Sequence, residues 1–172
     1  MVNKHGFKSK SIAEQFSINN ISTDVDEIFK NPEIDAVLIS TRHNLHTQLV
    51  LKALKAGKHI FVEKPLSISN NELMQIKNYV RSIDKCPILI TGFNRRFSPY
   101  IQKLKNICEE SDNPFILNYR VNAEYLELKN WVYKEEGGGR NIGEACHFYD
   151  IFNFLANLYI QSYSAHRIDL KR

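Results

Sequence analysis

Two hydrophobic periods alternate along the first two thirds of this chain. Ala36-Val37-Leu38-Ile39 and His59-Ile60-Phe61-Val62 are short apolar runs. Such runs suit strands covered on both faces, as in a parallel sheet. A third strand is expected from about Ile88 to Thr91. Between the first two runs, Leu45, Leu49, Ala53 and Leu54 recur at helical spacing. Between the second and third, Leu73, Ile76, Val80 and Ile83 do the same. The pattern is β-α-β-α-β.

Local punctuation agrees with it. Residues 9–17 read as a weak helix with Ile12, Ala13 and Phe16 on one side. Asp24 can cap a short helix carrying Val25, Ile28 and Phe29, which Asn31-Pro32 stops. Asn44 is a suitable N-cap for the helix that Gly57 closes. Ser69 and Glu72 form an S-x-x-E capping box, and Ser98-Pro99 sets a capping residue before a proline at the first helical position. Ile101, Leu104 and Ile107 follow. After Asn113-Pro114 the style changes. Phe115 to Tyr125 reads as a longer strand, and a loop with Trp131 and Gly137-Gly138-Gly139 follows. An amphipathic helix is expected from about Ile142 to Leu158 and a strand from about Ser162 to Ile168. The expected fold class is α/β: a partial Rossmann arrangement, a parallel sheet with flanking helices, followed by the start of an α+β domain. The boundary falls near residue 110, giving parts 1–110 and 111–172.

Composition narrows the class. With 172 residues, 43% hydrophobic and 24% charged, the chain is long enough for a core without staples. The net charge of +4 is spread out and forms no basic block, so no nucleic-acid partner is expected. No apolar run reaches membrane-spanning length, and the N-terminus has no apolar signal region. Cys86, Cys108 and Cys146 form neither a disulfide framework nor a C-x-x-C pair, which fits a reducing cytoplasm. Cys146 is most simply a small buried side chain.

In an open parallel sheet, ligands bind beyond the carboxyl ends of the strands. Three such ends carry polar residues: Ser40 to His46, Glu63 to Pro65, and Gly92 to Arg96. Lys64 sits between an acid and a proline, which stops the ladder there. It reads either as a proton donor or acceptor in the cleft or as a solvated surface lysine. His43 and His46 have H-x-x-H spacing without a clear third ligand, so no metal site is expected; His46 reads better as a cleft or helix-face residue. Arg95 and Arg96 suit a phosphate or carboxylate, or a salt-bridged loop end. Gly137, Gly139 and Gly143 resemble a loose phosphate loop, but Lys134-Glu135-Glu136 before them is no buried strand. His147 with Asp150 one turn later suits an acid–base pair; the competing reading is a satisfied core or surface histidine.

Together these segments carry a resemblance. Asp35-Ala36-Val37-Leu38-Ile39-Ser40-Thr41, Asn44, His46, Ala53-Leu54-Lys55-Ala56-Gly57-Lys58-His59, Glu63-Lys64-Pro65 and Gly92-Phe93-Asn94-Arg95-Arg96-Phe97 resemble the glucose–fructose oxidoreductase / inositol dehydrogenase (Gfo/Idh/MocA) family. Gly137-Gly138-Gly139-Arg140, Ile142-Gly143-Glu144, Cys146-His147-Phe148 and Asp150 are similar to the substrate-side helix of one subgroup. The resemblance implies an oxidoreductase using NAD or NADP on a small-molecule sugar, cyclitol or related derivative. It implies an N-terminal Rossmann domain, a C-terminal α+β domain and homo-oligomers formed through the latter. It places Lys64 and His147 in catalysis. Thr41, Asn44, His46, Glu63, Lys64 and Asn94 fall on cofactor-lining positions.

Two departures qualify what the resemblance implies. The sequence holds no G-x-G-x-x-G, so the chain is expected to be a fragment lacking the glycine-rich first βαβ unit at one end and most of the C-terminal sheet at the other. Alone it is expected to bind dinucleotide weakly or not at all and to be inactive. Where many family members carry an aspartate four residues before the histidine, this chain has Gly143, with Glu144 beside it. The alternatives are a non-catalytic remnant serving as a binding or dimerisation module, and one half of a split enzyme.

Overall fold

The computed structural model describes residues 1–4, 6–111 and 113–166. Three strands, β1 (Ala36–Ile39), β2 (His59–Val62) and β3 (Leu89–Thr91), form a parallel sheet in the order β1-β2-β3. Val37 pairs with Ile60 and Ile39 with Val62; Ile60 in turn pairs with Leu89. Among the described residues six α-helices accompany them: α1 (Gly6–Gln15), α2 (Asp26–Lys30), α3 (His46–Lys55), α4 (Asn70–Ser82), α5 (Pro99–Glu109) and α6 (Cys146–Ala156). The chain divides into two compact units. One joins Met1–Gly92 with Glu127–Gly143; the other joins Phe93–Leu126 with the segment from Glu144 onward.

In the first unit the signals at Ser69, Gly57 and Asp24 act as their chemistry requires, and that at Asn44 does not. Ser69 Oγ accepts from the Glu72 N–H at 3.2 Å, while the Glu72 carboxylate takes the N–H of Ile68 at 3.0 Å. The reciprocal half of the capping box is thus displaced by one residue. Gly57 follows α3 at φ +70°, a conformation that glycine adopts without steric cost. Asp24 Oδ1 accepts from the Asp26 N–H, opening α2. Asn44 does not cap α3. It lies within a 3-10 turn, His43–Leu45, that leads directly into the helix, so its backbone is already turning before α3 starts.

The core joins Ile39, Val50, Ala53, Leu54, Ile60, Val62 and Ile76. A parallel sheet wound in sequence order by right-handed crossovers carries its connecting helices on one face. Here α3 and α4 pack together, and the residues alternating with the core positions are left open. Leu38 is 69% exposed, Ile90 51% and Phe61 39%. The expectation of strands covered on both faces is therefore corrected: no described element of this unit covers the second face. The buried stripe of α3 is also shifted, to His46, Thr47, Val50, Ala53 and Leu54, with Leu45 at 40% exposure. Ahead of the sheet, Val2 and Ser22 make a single parallel bridge around α1.

In the second unit α5 packs on α6, and Tyr119 stacks on Phe148 with ring centroids 5.2 Å apart. The strand expected over 115–125 is irregular backbone instead. A strand persists only where a neighbour takes its N–H and C=O groups, and no described strand pairs with it. Residues 162–166 are likewise irregular, and the rest of that expected strand lies outside the described residues. The last expected helix opens with a π-helical turn, Asn141–Ala145, continues as α6, and ends at Asn157 in the left-handed region, φ 51°.

Candidate active site

Parallel pairing sets the carboxyl ends of β1, β2 and β3 side by side, and the polar residues after them follow. His46 ties two of these ends together. It is fully buried on the first turn of α3; its Nδ1 lies 2.7 Å from the carbonyl oxygen of Pro65 and its Nε2 3.1 Å from that of Thr41. Both ring nitrogens are thus turned to main-chain oxygens, which leaves neither for a metal. Among the described residues no three His, Cys, Asp or Glu side chains gather to hold one.

Thr41 is exposed, its hydroxyl donating to the Arg42 carbonyl at 3.3 Å. The Glu63 N–H donates to Ile39 O at 2.8 Å, continuing the pairing of β1 and β2 past the strand end. Its carboxylate lies against Gly92: a Cβ there would come within 3.2 Å of Glu63 Oε2. Lys64 is half-buried, and its ammonium donates to the Gly143 carbonyl at 2.8 Å. It is therefore no freely solvated surface lysine. Asn44 Oδ1 and Thr47 Oγ1 are buried without a hydrogen-bond partner among the described residues. Buried polar groups are nearly always paired. An acceptor and a hydroxyl left open here suit a ligand bearing hydroxyl or amide groups.

The segment after Leu126 also reaches these strand ends. Trp131 lies against the Arg42 guanidinium, 4.0 Å from the ring centroid, and against the edge of His43 at 4.8 Å. His43 donates from Nδ1 to the Gly137 carbonyl at 2.9 Å. Burial holds its imidazole below the ordinary histidine value, aided by the charges of His46, Lys64 and Arg42 and opposed by the Gly137 hydrogen bond. A Cβ on Gly143 would meet His43 Cε1 at 3.0 Å, so a side chain at this position needs His43 to give way. The glycine loop is no phosphate cradle: the N–H groups of Gly137 and Gly138 both donate to the Lys134 carbonyl. Sequence reasoning missed His43 and Trp131 as site residues. The aromatic and polar types were visible, but their meeting depends on the return of residues 127–143.

In the second unit Asn94 is exposed at the start of a 3-10 turn, Asn94–Phe97, which packs on α6. His147 is buried on the first turn of α6, its ring nearly perpendicular to Phe93 with centroids 6.1 Å apart. Asp150 is gripped by the Arg96 guanidinium through Nε, at 2.9 Å, and Nη2. Arg96 thus takes the role of a salt-bridged loop end. Lys64 and His147 belong to different units.

A model of the GFO_IDH_MocA oxidoreductase family, NAD-binding Rossmann fold, matches residues 1–92. That is more than half of the chain, which belongs to this family. Scyllo-inositol 2-dehydrogenase (NAD(+)) of Bacillus subtilis is 30% identical over 159 residues, covering 92% of this chain and 46% of that protein. Myo-inositol 2-dehydrogenase of Thermotoga maritima is 30% identical over 148 residues, 85% of this chain and 43% of that protein. The structure of levoglucosan dehydrogenase in complex with NADH and levoglucosan superposes with a TM-score of 0.76 at 26% identity, over 90% of this chain and 43% of that one. The chain thus spans less than half the length of these relatives.

Proposed function

We propose that this chain supplies the catalytic strand ends of an NAD- or NADP-dependent oxidoreductase acting on a sugar, a cyclitol or a related derivative, with Lys64 and His147 handling the proton. Residues 1–110 are read as the later part of the dinucleotide-binding domain and 111–172 as the start of the substrate domain. The observation that carries this reading is the placement of Lys64. Its ammonium is half-buried at the carboxyl end of the middle strand, held on a main-chain carbonyl rather than in water. The inositol and levoglucosan dehydrogenases similar to this chain support the substrate class.

The residues after β1 fit the nicotinamide end of the cofactor, because Asn44 Oδ1 and Thr47 Oγ1 are buried and open. Thr41, Asn44, His46, Glu63 and Asn94 are the positions proposed to line it, His46 by bracing Thr41 against Pro65. The bound cofactor supplies the hydride acceptor. The remaining task falls to the protein: as the carbinol C–H bond breaks, the hydroxyl proton must leave. Lys64 and His147, one as acceptor and the other as hydrogen-bond donor to the same oxygen, divide that task.

Because the chain matches 46% of the B. subtilis scyllo-inositol dehydrogenase, turnover is measured in a chimera in which it replaces the matching segment of that enzyme, whose own first βαβ unit and remaining C-terminal domain are kept. NAD+ reduction is followed with inositols, xylose and levoglucosan. Lys64→Ala and His147→Asn are each expected to lower kcat by about 10²-fold or more. Near-normal turnover in either variant removes that residue from the mechanism.

A second reading, a binding or dimerisation module, draws on the apolar row of Leu38, Phe61 and Ile90. A monodisperse monomer in light scattering, with one sharp melting transition, counts against it.

A further inference from the structure

Residues 127–143 meet the turn after β1 through a continuous set of contacts. The Asn44 N–H donates to the Glu136 carbonyl at 3.2 Å, and Glu136 Oε2 lies 3.7 Å from Arg42 Nε. Trp131 rests on Arg42 and His43. His43 touches both ends of the glycine segment: Nδ1 donates to Gly137 O, and its Cε1 edge faces Gly143, where a Cβ would stand 3.0 Å away. Gly143 is also the residue whose carbonyl receives Lys64.

We infer that His43 is a positioning residue for Lys64, holding the Gly137–Gly143 segment so that the Gly143 carbonyl stands where the Lys64 ammonium can reach it. This rests on the reading that Lys64 handles the proton. The geometry gives each part of the imidazole a task. A neutral ring carries one N–H, and placing it on Nδ1 satisfies the Gly137 carbonyl. The flat Cε1 edge sits close against Gly143, where any side chain would make the ring give way by a few tenths of an ångström. Without the ring, Gly137 keeps its N–H bond to the Lys134 carbonyl, but its own carbonyl loses its donor, so the segment leading to Gly143 loses one of its anchors and the Gly143 carbonyl shifts with it. Lys64 then loses its anchor and samples many rotamers. His43 is not proposed to touch a reacting atom; it acts through the backbone that Lys64 grips.

The experiment uses the 172-residue chain with 13C-labelled lysine and the single tryptophan, Trp131, as an internal probe. The Lys64 Hε–Cε cross-peak is assigned by its loss in Lys64→Arg. In His43→Leu that cross-peak is expected to move into the range of the solvated lysines, with Trp131 emission shifted to the red. In His43→Asn, whose amide can replace the Nδ1 donor, both signals stay near those of the parent. Gly143→Ala, which crowds His43 without removing it, moves the cross-peak as His43→Leu does and keeps the test alive if His43→Leu fails to fold. Far-UV circular dichroism checks the fold. A Lys64 cross-peak that stays in place in Gly143→Ala, or that moves as far in His43→Asn as in His43→Leu, overturns the inference. Normal turnover of Lys64→Ala in the chimera removes the catalytic reading instead, and leaves this resonance experiment unaffected.

Discussion

Leu38 and Phe61 stand directly opposite each other on β1 and β2, and both are open to solvent while Ile39, Ile60 and Val62 beside them are buried. Side chains alternate across a strand, so the same two strands that build the core also present an apolar row, which Ile90 extends. Burial, and with it stability, resides on the face covered by α3 and α4.

That asymmetry gives a direct comparison. Ile60 is 2% exposed, within the core. Ile60→Ala is expected to cost about 2–5 kcal/mol through lost transfer energy and the cavity left behind. Leu38→Ala, a neighbouring strand position on the open face, is expected to stay within about 0.5 kcal/mol. Urea unfolding of both variants checks this. A loss at Leu38 as large as that at Ile60 would mean that the open face is covered in solution.

His46 is a polar side chain whose removal strands its partners. In His46→Ala the carbonyls of Thr41 and Pro65 lose the ring that faces them, and a fully buried cavity opens. Leaving the buried Pro65 carbonyl unmatched costs about 1–3 kcal/mol, to which the cavity adds. The expected total is a loss of about 2–4 kcal/mol, read as a lower urea midpoint. A midpoint unchanged in His46→Ala would show that the two strand ends are held by other means.

Much of the first unit was legible because its signals are local. The apolar runs that became β1, β2 and β3 carry their own punctuation, as do Gly57 and the Ser69–Glu72 cap. The family resemblance rested on the same stretches. What failed was whatever depends on a neighbour. Phe115 to Tyr125 has a strand's composition, yet propensity cannot supply a hydrogen-bonding partner. Leu38 and Phe61 look like core residues in a run of four, and only the layer above a sheet decides whether they are. Asn44 is a good N-cap type displaced by a 3-10 turn that pattern does not encode. The contact of His43 with Gly137 joins residues separated by 94 positions, and no spacing rule reaches that far.

The second unit offers a charge-paired test. The Asp150 side chain is 10% exposed and that of Arg96 33%, and the guanidinium also lies 5.3 Å from the Phe154 ring centroid. Fork-like pairing of this kind is stronger than a neutral hydrogen bond. Asp150→Ala is expected to destabilise by about 1–3 kcal/mol, with the Arg96→Met, Asp150→Ala double variant losing less than the sum of the two singles. Strict additivity in thermal unfolding would mean that the pair contributes no coupling.

The pH dependence follows from His43. Its imidazole is held below the ordinary value of 6.5, chiefly by burial, so the unfolded chain binds a proton that the folded chain refuses. Stability then rises with pH wherever the unfolded state holds more protons. It is therefore complete above about 6.5 and falls as the pH is lowered from there to the depressed folded value. Asp26 behaves differently. Its carboxyl is held below 3.8 by the hydrogen bond and charge of Lys52, so its contribution is present above about 3.8 and fades only at lower pH. The two windows separate the groups. Between pH 7 and 5 the parent chain is expected to lose urea resistance, and His43→Asn, which has no ring to protonate, loses less of it. Trp131 emission should change over the same interval in the parent, because the protonating ring lies against the indole. Equal pH slopes in the parent and His43→Asn, with Trp131 emission constant from pH 7 to 5, would assign the acid sensitivity to another group.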